Sequence, residues 1–292
     1  MGNPRRFTPV AVALLLSFLL SSCLMTRRVV FRGHKRVTGA SPVLNVATRE
    51  DLNAIIAHTY NSINSFQASS VELTASEGNV YTGKINDFKA LPGIILYRKP
   101  DDIRVQAKVP VVATLAFDMV SNGREFQFQL PTKNLFVEGL NSAPASSANK
   151  MENLRPEAFL SSMLIRPDDP ATEEVILKDD TDEENALYRL EFLLKTPDGK
   201  TLPGREVWFD RQDLTIVRQK VYDAAGLIIS DTSYSKWQLY NGVLFPAHID
   251  INRRKDGYGV AINILKMDMN KELTDQQFLL PRPEGYTLKE IH

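Results

Sequence analysis

Apolar and polar residues alternate through most of the chain beyond residue 100. The strand-like segments are 103–109, 115–119, 126–130, 188–194, 207–209, 217–221, 249–251 and 260–264. Turn sequences stand between them: Ser121-Asn122-Gly123, Pro197-Asp198-Gly199, Tyr240-Asn241-Gly242 and Lys255-Asp256-Gly257. Period-two alternation is typical of strands with one buried face, and tight turns join such strands in antiparallel order. The pattern predicts a mainly β fold whose antiparallel sheet curls or closes, and it disfavours a doubly wound fold because no βα alternation repeats.

Charge is unevenly placed along the chain. The 292 residues include 35 basic and 35 acidic side chains, yet no acid precedes Glu50, while seven Arg or Lys already precede Ser41. From Ser41 onward, 28 basic residues stand against 35 acidic ones. Sequence-independent nucleic-acid binding rests on clustered Lys and Arg, so this composition predicts no nucleic-acid partner.

The N-terminal sequence resembles the export signal of a bacterial lipoprotein. A basic start precedes the apolar run Val10–Leu20, which is too short for a membrane span of about 20 residues. The run ends in Leu20-Ser21-Ser22-Cys23, and Cys23 is the only cysteine of the chain. Small residues before this cysteine resemble a lipobox, which implies cleavage before Cys23 and acylation of its sulfur. An uncleaved helical anchor and a signal peptide cut elsewhere are the alternatives.

This resemblance divides the chain into three parts. Residues 1–22 are expected to be the signal peptide, residues 23–40 the lipidated cysteine with a flexible basic tether, and residues 41–292 a single domain. Covalent acyl chains on Cys23 are the only non-protein group expected. Leu24, rather than Asp, follows the cysteine, which by resemblance to enterobacterial systems implies sorting to the outer membrane.

Two helices interrupt the strand pattern. Thr48 and Asp51 form a helix N-cap signature, and the apolar spacing after them predicts an amphipathic helix ending near Ser65. Arg155-Pro156-Glu157 opens a second, short helix, since proline is favoured in the first helical turn. Its apolar face carries Phe159, Leu160, Met163 and Leu164. This helix is either a lid over a cavity or a connection that caps an ordinary core.

Motifs for catalysis or metal binding are missing from the sequence. There is no nucleophile elbow, zinc-protease motif, phosphate-binding loop or dinucleotide fingerprint. His58 and His248 have no evident partner, and the acidic stretch 179–184 lacks the glycine and spacing of a calcium loop, which favours a solvated hairpin. Paired carboxylates for glycoside hydrolysis stay open because no spacing identifies them. We expect no enzyme and no metal site.

The order of these features resembles the LolA/LolB group of lipoprotein-sorting proteins over roughly residues 51–267. The segments 101–105 and 109–117 resemble the strands that flank the LolB membrane-contacting loop, and 155–160 resembles the helix that covers the cavity. The resemblance implies an incomplete, strongly curved antiparallel barrel around an N-terminal helix, with a short lid helix over an apolar cavity. Val111 stands where LolB has an exposed leucine, and Val112 follows it. The tail from about Lys271 has no counterpart.

The residues expected to serve ligand binding fall into two groups. The lid and cavity are assigned to Phe159, Leu160, Met163, Leu164, Phe117, Met119, Phe126 and Phe128. Val111 and Val112 are assigned to the membrane-contacting loop. An apolar concave site of this kind suits acyl chains, although small barrels are often filled by their own side chains.

The favoured hypothesis is therefore a lipoprotein anchored at the periplasmic face of the outer membrane. It would bind the acyl chains of lipoproteins, receive them from a soluble carrier protein and pass them to the membrane. The alternatives are a carrier for another lipid, and a non-enzymatic sensor or structural module of an envelope complex with a filled barrel.

Overall fold

The computed structural model describes residues 43–79, 84–87, 89–112, 114–143 and 153–291, with the backbone alone at 78, 79 and 84–87. The signal peptide, Cys23 and the tether predicted from the sequence lie outside these residues.

The described residues form fifteen strands in one sheet. They are β1 Ser65–Asn79, β2 Lys84–Asp87, β3 Leu91–Arg98, β4 Asp102–Lys108, β5 Leu115–Ser121, β6 Glu125–Leu130, β7 Leu135–Leu140, β8 Glu173–Asp179, β9 Leu187–Lys195, β10 Thr201–Asp210, β11 Ile216–Tyr222, β12 Ile228–Tyr240, β13 Val243–Arg253, β14 Tyr258–Met269 and β15 Thr287–Ile291.

The strand order is β15-β7-β6-β5-β4-β3-β1-β14-β13-β12-β11-β10-β9-β8, with β2 paired to β1. Neighbours are antiparallel except β15, which runs parallel to β7. Strands β15 and β8 end this path and do not pair with each other, so the sheet is curled but not closed. The prediction of an incomplete, curved antiparallel barrel is confirmed.

Alternation along each strand explains the curled sheet. On β4, Ile103, Val105 and Ala107 are fully buried while Arg104 and Gln106 lie on the other face. A register shift between Ala68 and Val71 interrupts the pairing of β1 with β3, and β-bulges of this kind bend a strand and increase its twist. Most buried apolar residues belong to one cluster, which fills the concave side of the sheet.

Helix α1 spans Arg49–Ser62, three residues shorter than expected, because Ser65 already pairs with Arg98 in the sheet. The predicted cap is present: the Thr48 side chain accepts from the Asp51 amide, and the Asp51 carboxylate accepts from the Thr48 amide. Only one stripe of α1 is buried, so the helix covers strands β8 and β13 with one face and leaves the other in solvent.

The tail packs against the sheet face opposite the main core. It contains a 3-10 helix, Asp275–Phe278, followed by β15. Leu280 forms a small second hydrophobic cluster with Val120 and Phe136. The tail therefore covers outward-facing apolar residues of β5 and β7.

A buried ion pair fastens the sheet beneath the tail, which gives the first prediction. Asp118 accepts two hydrogen bonds from Arg104 (3.0 and 2.6 Å), and Arg104 also donates to the Gln277 carbonyl at 2.9 Å. Asp118→Ala leaves the Arg104 charge, whose side chain is only 19% exposed, without its carboxylate, so the free energy of unfolding should fall by about 3 kcal/mol in urea titration.

Asp275→Ala is the matched control for this prediction. Asp275 pairs with Arg98 at 2.7 Å, but its side chain is 88% exposed. An exposed pair contributes less than about 1 kcal/mol. Equal losses in the two variants would contradict the account of the buried pair.

Candidate functional site

The eight residues predicted to form the lid and cavity lie together in the structure. Phe117 and Met119 come from β5, Phe126 and Phe128 from β6, and all four are buried in the main core. The Phe117 and Phe128 rings meet edge to face, with centroids 6.0 Å apart. The main core also includes Phe159, Leu160, Met163 and Leu164.

Helix α2, Pro156–Met163, begins at the expected proline and packs against β4, β5 and β13. The sequence predicted one apolar face, but six of its eight residues are buried, including Ala158 and Ser162. Glu157 and Ser161 are the two that stay partly exposed. Because α2 is surrounded on nearly all sides, it fills the concave side of the sheet instead of lying over an empty space.

Two hydrogen bonds attach the C-terminal turn of α2 to strand β12. The Tyr234 hydroxyl donates to the Ser162 carbonyl at 2.8 Å and lies 3.0 Å from the Gln219 side-chain oxygen. The Thr232 hydroxyl donates to the Ser162 hydroxyl at 3.1 Å. Carbonyls in the last helical turn lack partners within the helix, so Tyr234 satisfies one of them. Burial raises the pKa of Tyr234, so its hydroxyl stays protonated as a donor even in alkaline solution.

Arg155 holds the other end of α2. Its buried guanidinium lies 4.6 Å from the centre of the Phe126 ring and donates to the Leu154 carbonyl at 3.0 Å. Burial lowers the pKa of Arg155. A cation over an aromatic face is attractive in a desolvated site, so this contact fixes the start of α2 against β6. Neither the lipobox resemblance nor the strand alternation predicts this contact between Arg155 and Phe126.

Little space remains between α2 and the apolar core. A cavity of about 30 Å³ lies between α1, the end of α2 and strands β11 to β13. Its apolar wall includes Ile56, Met163, Leu164, Trp237 and Phe245. Ligand pockets usually measure about 300–1,000 Å³. An acyl chain can therefore enter this part of the core only if α2 moves, and the packed interior is what the filled-barrel alternative predicts.

The predicted membrane-contacting residues lie in the turn between β4 and β5. Val111 is fully exposed and Val112 is 64% exposed. Val111 also has a φ of 73°, in the left-handed region that a β-branched residue rarely adopts. The turn thus presents two apolar side chains to solvent on a strained backbone.

The polar candidates from the sequence have structural partners. The His248 ring is hydrogen-bonded to Asn263 at 2.7 Å. In the acidic stretch, Asp179 pairs with Arg211 at 3.1 Å, Asp180 pairs with Arg189 at 2.8 Å, and Asp182 accepts from backbone amides. These bonds stabilise the β8–β9 hairpin.

Within the described part of the chain, no group of three or more His, Cys, Asp or Glu side chains is arranged to hold a metal ion. Neither α1 nor α2 is long and apolar enough to cross a membrane.

Comparison with known proteins supports the fold. A family model described as "Uncharacterized protein" matches residues 150–281. No curated protein matches. A DUF1329 family protein from Desulfovibrio piger is 15% identical to this chain, with a TM-score of 0.53. The match covers 78% of this chain and 95% of the Desulfovibrio protein. A LolA superfamily protein from Nitrosomonas europaea is 13% identical to this chain, with a TM-score of 0.50. The match covers 78% of this chain and 97% of the Nitrosomonas protein. The chain has a LolA-like fold, as its sequence suggested.

The attachment of α2 can be tested by removing one hydroxyl. Tyr234→Phe deletes the donor to the Ser162 carbonyl, and a lost buried hydrogen bond costs about 1 kcal/mol or more. Hydrogen exchange of the amides in 156–164 should become about tenfold faster by mass spectrometry, since 1.4 kcal/mol corresponds to a factor of about ten. Tyr188→Phe, in the same core, should leave this exchange unchanged, and acceleration in both variants would count against a specific attachment.

Proposed function

We propose that this protein is a lipoprotein anchored through Cys23 at the periplasmic face of the outer membrane, which binds acyl chains on its concave sheet face. Within that role we favour acceptance of lipoproteins for outer-membrane insertion, with delivery by a soluble carrier. The observation that carries the proposal is α2, an eight-residue helix occupying the apolar interior of a LolA-like sheet. No motif for catalysis accompanies it.

Displacement of α2 by lipid is energetically feasible. Moving the helix out exposes Phe159, Leu160, Met163 and Leu164, at about 1.5–3 kcal/mol each. One 16-carbon acyl chain holds about 14 methylenes and gains about 0.8 kcal/mol for each one buried, or about 11 kcal/mol. A single chain thus roughly matches the cost of about 6–12 kcal/mol. Two chains exceed it clearly, which favours ligands with two or more chains.

The tether is long enough to allow delivery. Nineteen residues lie between Cys23 and Val43, and an extended chain of that length spans up to about 70 Å. Anchoring through Cys23 therefore leaves the domain free to approach the membrane with its β4–β5 turn.

Ligand binding is best measured on residues 24–292, which retain the whole described core and lack acyl chains of their own. In native mass spectrometry, a peptide carrying two palmitoyl chains should bind stoichiometrically, and the same peptide with one chain at least tenfold more weakly. Equal affinities would contradict displacement of α2 by acyl burial. No uptake of either peptide would favour the second candidate, a filled-barrel interaction module, which the packed interior supports.

The β4–β5 turn should contribute to membrane contact. Asn tolerates a positive φ better than Val, so Val111→Asn should fold with equal or greater stability while removing an exposed apolar side chain. Combined with Val112→Ser, it should reduce co-sedimentation of residues 24–292 with phospholipid vesicles at least threefold.

Leu227→Asn is the control for this experiment. Leu227 is 59% exposed in the β11–β12 turn, so the substitution removes a similar apolar surface elsewhere. Unchanged vesicle binding in the valine variant, or an equal loss in the Leu227 variant, would contradict a specific role of the β4–β5 turn.

A further inference from the structure

A second, larger cavity opens along the partly exposed face of α2. It measures about 580 Å³ and lies between α2, the β3–β4 and β5–β6 turns, and strands β8, β10 and β11. The helix contributes Glu157, Leu160 and Ser161 to its wall, and Leu164 directly after the helix adds to it. The spacing of three and four places these residues on one helical face.

This polar cavity adjoins the small apolar cavity. Tyr60 and Leu164 line both. A ligand whose acyl chains entered the apolar core in place of α2 side chains would hold its polar end near this wall. The chemistry of the wall therefore bears on which acylated ligand is accepted.

The cavity carries four carboxylates and two guanidinium groups, and three of the carboxylates are engaged. Asp101 pairs with Arg166, and Glu173 pairs with Arg205 at 3.1 Å. Asp169 accepts from the Ala171 amide and the Thr172 hydroxyl, both at 3.0 Å. These contacts hold the wall in place. Both cations that line the cavity, Arg166 and Arg205, are therefore already paired with a carboxylate.

Glu157 is the fourth carboxylate, and it has no hydrogen bond or ion pair within the described residues. The cations that influence it are Arg166 and Arg253, and Arg253 is paired with Asp256 at 2.6 Å. Burial raises the pKa of Glu157, so its charged form is destabilised in the ligand-free protein. A cation that arrived with the ligand would remove that cost.

The structure also limits the kind of cation. A divalent metal needs several oxygen ligands, and no three acidic or histidine side chains of the described chain are arranged to hold one. A single carboxylate suits a monovalent ammonium group that donates hydrogen bonds.

We propose that this cavity recognises a primary ammonium group carried beside the acyl chains, with Glu157 as its counter-ion. The inference rests on the proposed function and adds a substrate class to it. Two molecules present this chemistry: a diacylated lipopeptide with a free N-terminal amine, and a phospholipid with an ethanolamine headgroup.

The test compares two lipopeptides that differ only in the charge of the amine. Residues 24–292 are titrated with a diacylated lipopeptide bearing a free N-terminal amine and with the same lipopeptide after N-acetylation. The wild-type chain should bind the free amine about tenfold more tightly. Glu157→Gln, which keeps the shape and removes the charge, should bind both equally, while Ser161→Ala on the same face should keep most of the preference.

A second pair of probes shows whether the amine comes from a lipopeptide or from a phospholipid. Micelles containing phosphatidylethanolamine or phosphatidylglycerol are titrated with the same three proteins. A preference for ethanolamine that Glu157→Gln abolishes supports the site and adds the phospholipid as a ligand, whereas a preference confined to the lipopeptide supports the site with the lipopeptide as its ligand.

The outcomes also separate the two proposals. Equal wild-type affinity for the free and acetylated lipopeptides, or a preference that survives in Glu157→Gln, would overturn the ammonium site while leaving acyl binding intact. Failure of all four ligands to bind would overturn both proposals. The unfolding temperature of Glu157→Gln is measured as a control. If it equals that of the wild type, the lost preference is not caused by a loss of folding.

Discussion

Burial of the concave apolar face of the sheet is the constraint on which the rest of the structure depends. A sheet that curls without closing leaves the inward residues of its strands, such as Ile103, Phe128 and Ile262, in need of a cover. Apolar surface removed from water contributes roughly 25 cal/mol per Å², which makes an uncovered face of this size untenable. Helix α2 supplies the inner cover, α1 covers β8 and β13, and the tail covers the opposite face of β5 and β7.

The same hydrophobic term underlies the proposed replacement of α2 by acyl chains. Its hold on the core comes from apolar side chains together with a small set of polar contacts at its two ends, including those from Tyr234 and Arg155. Acyl chains would make apolar contacts of the same kind with the sheet, over a larger area. A packed interior and a lipid-binding function are therefore compatible, with the packed form as the ligand-free state. Function would then depend on the free energy of moving one short helix.

The sequence was sufficient for much of the fold, because strand alternation and turn residues are local signals. It predicted the curled antiparallel sheet, the Thr48 cap and the start of α2 at Pro156. The tail was not predicted, since the cluster of Leu280 with Val120 and Phe136 joins distant residues without any period. The burial of Asp118 was equally hidden, because it depends on the cross-strand partner Arg104. At the site, the apolar residues were identified, but the near-complete burial of α2 and the free carboxylate of Glu157 emerge only from tertiary packing.

Movement of α2 is the central claim, and a reversible cross-link tests it most directly. The hydroxyl oxygens of Ser162 and Thr232 are 3.1 Å apart, so the two side chains point at each other. Cysteines at these positions would bring their sulfurs close together, and a small rotation of the side chains would reach the sulfur–sulfur bond length of about 2 Å. Residues 24–292 contain no cysteine, so Ser162→Cys with Thr232→Cys forms a single defined bridge. If acyl chains displace α2, the oxidised protein takes up no two-chain lipopeptide and reduction restores binding. Equal uptake by the oxidised and reduced forms would contradict it, because the ligand would then bind without displacing α2.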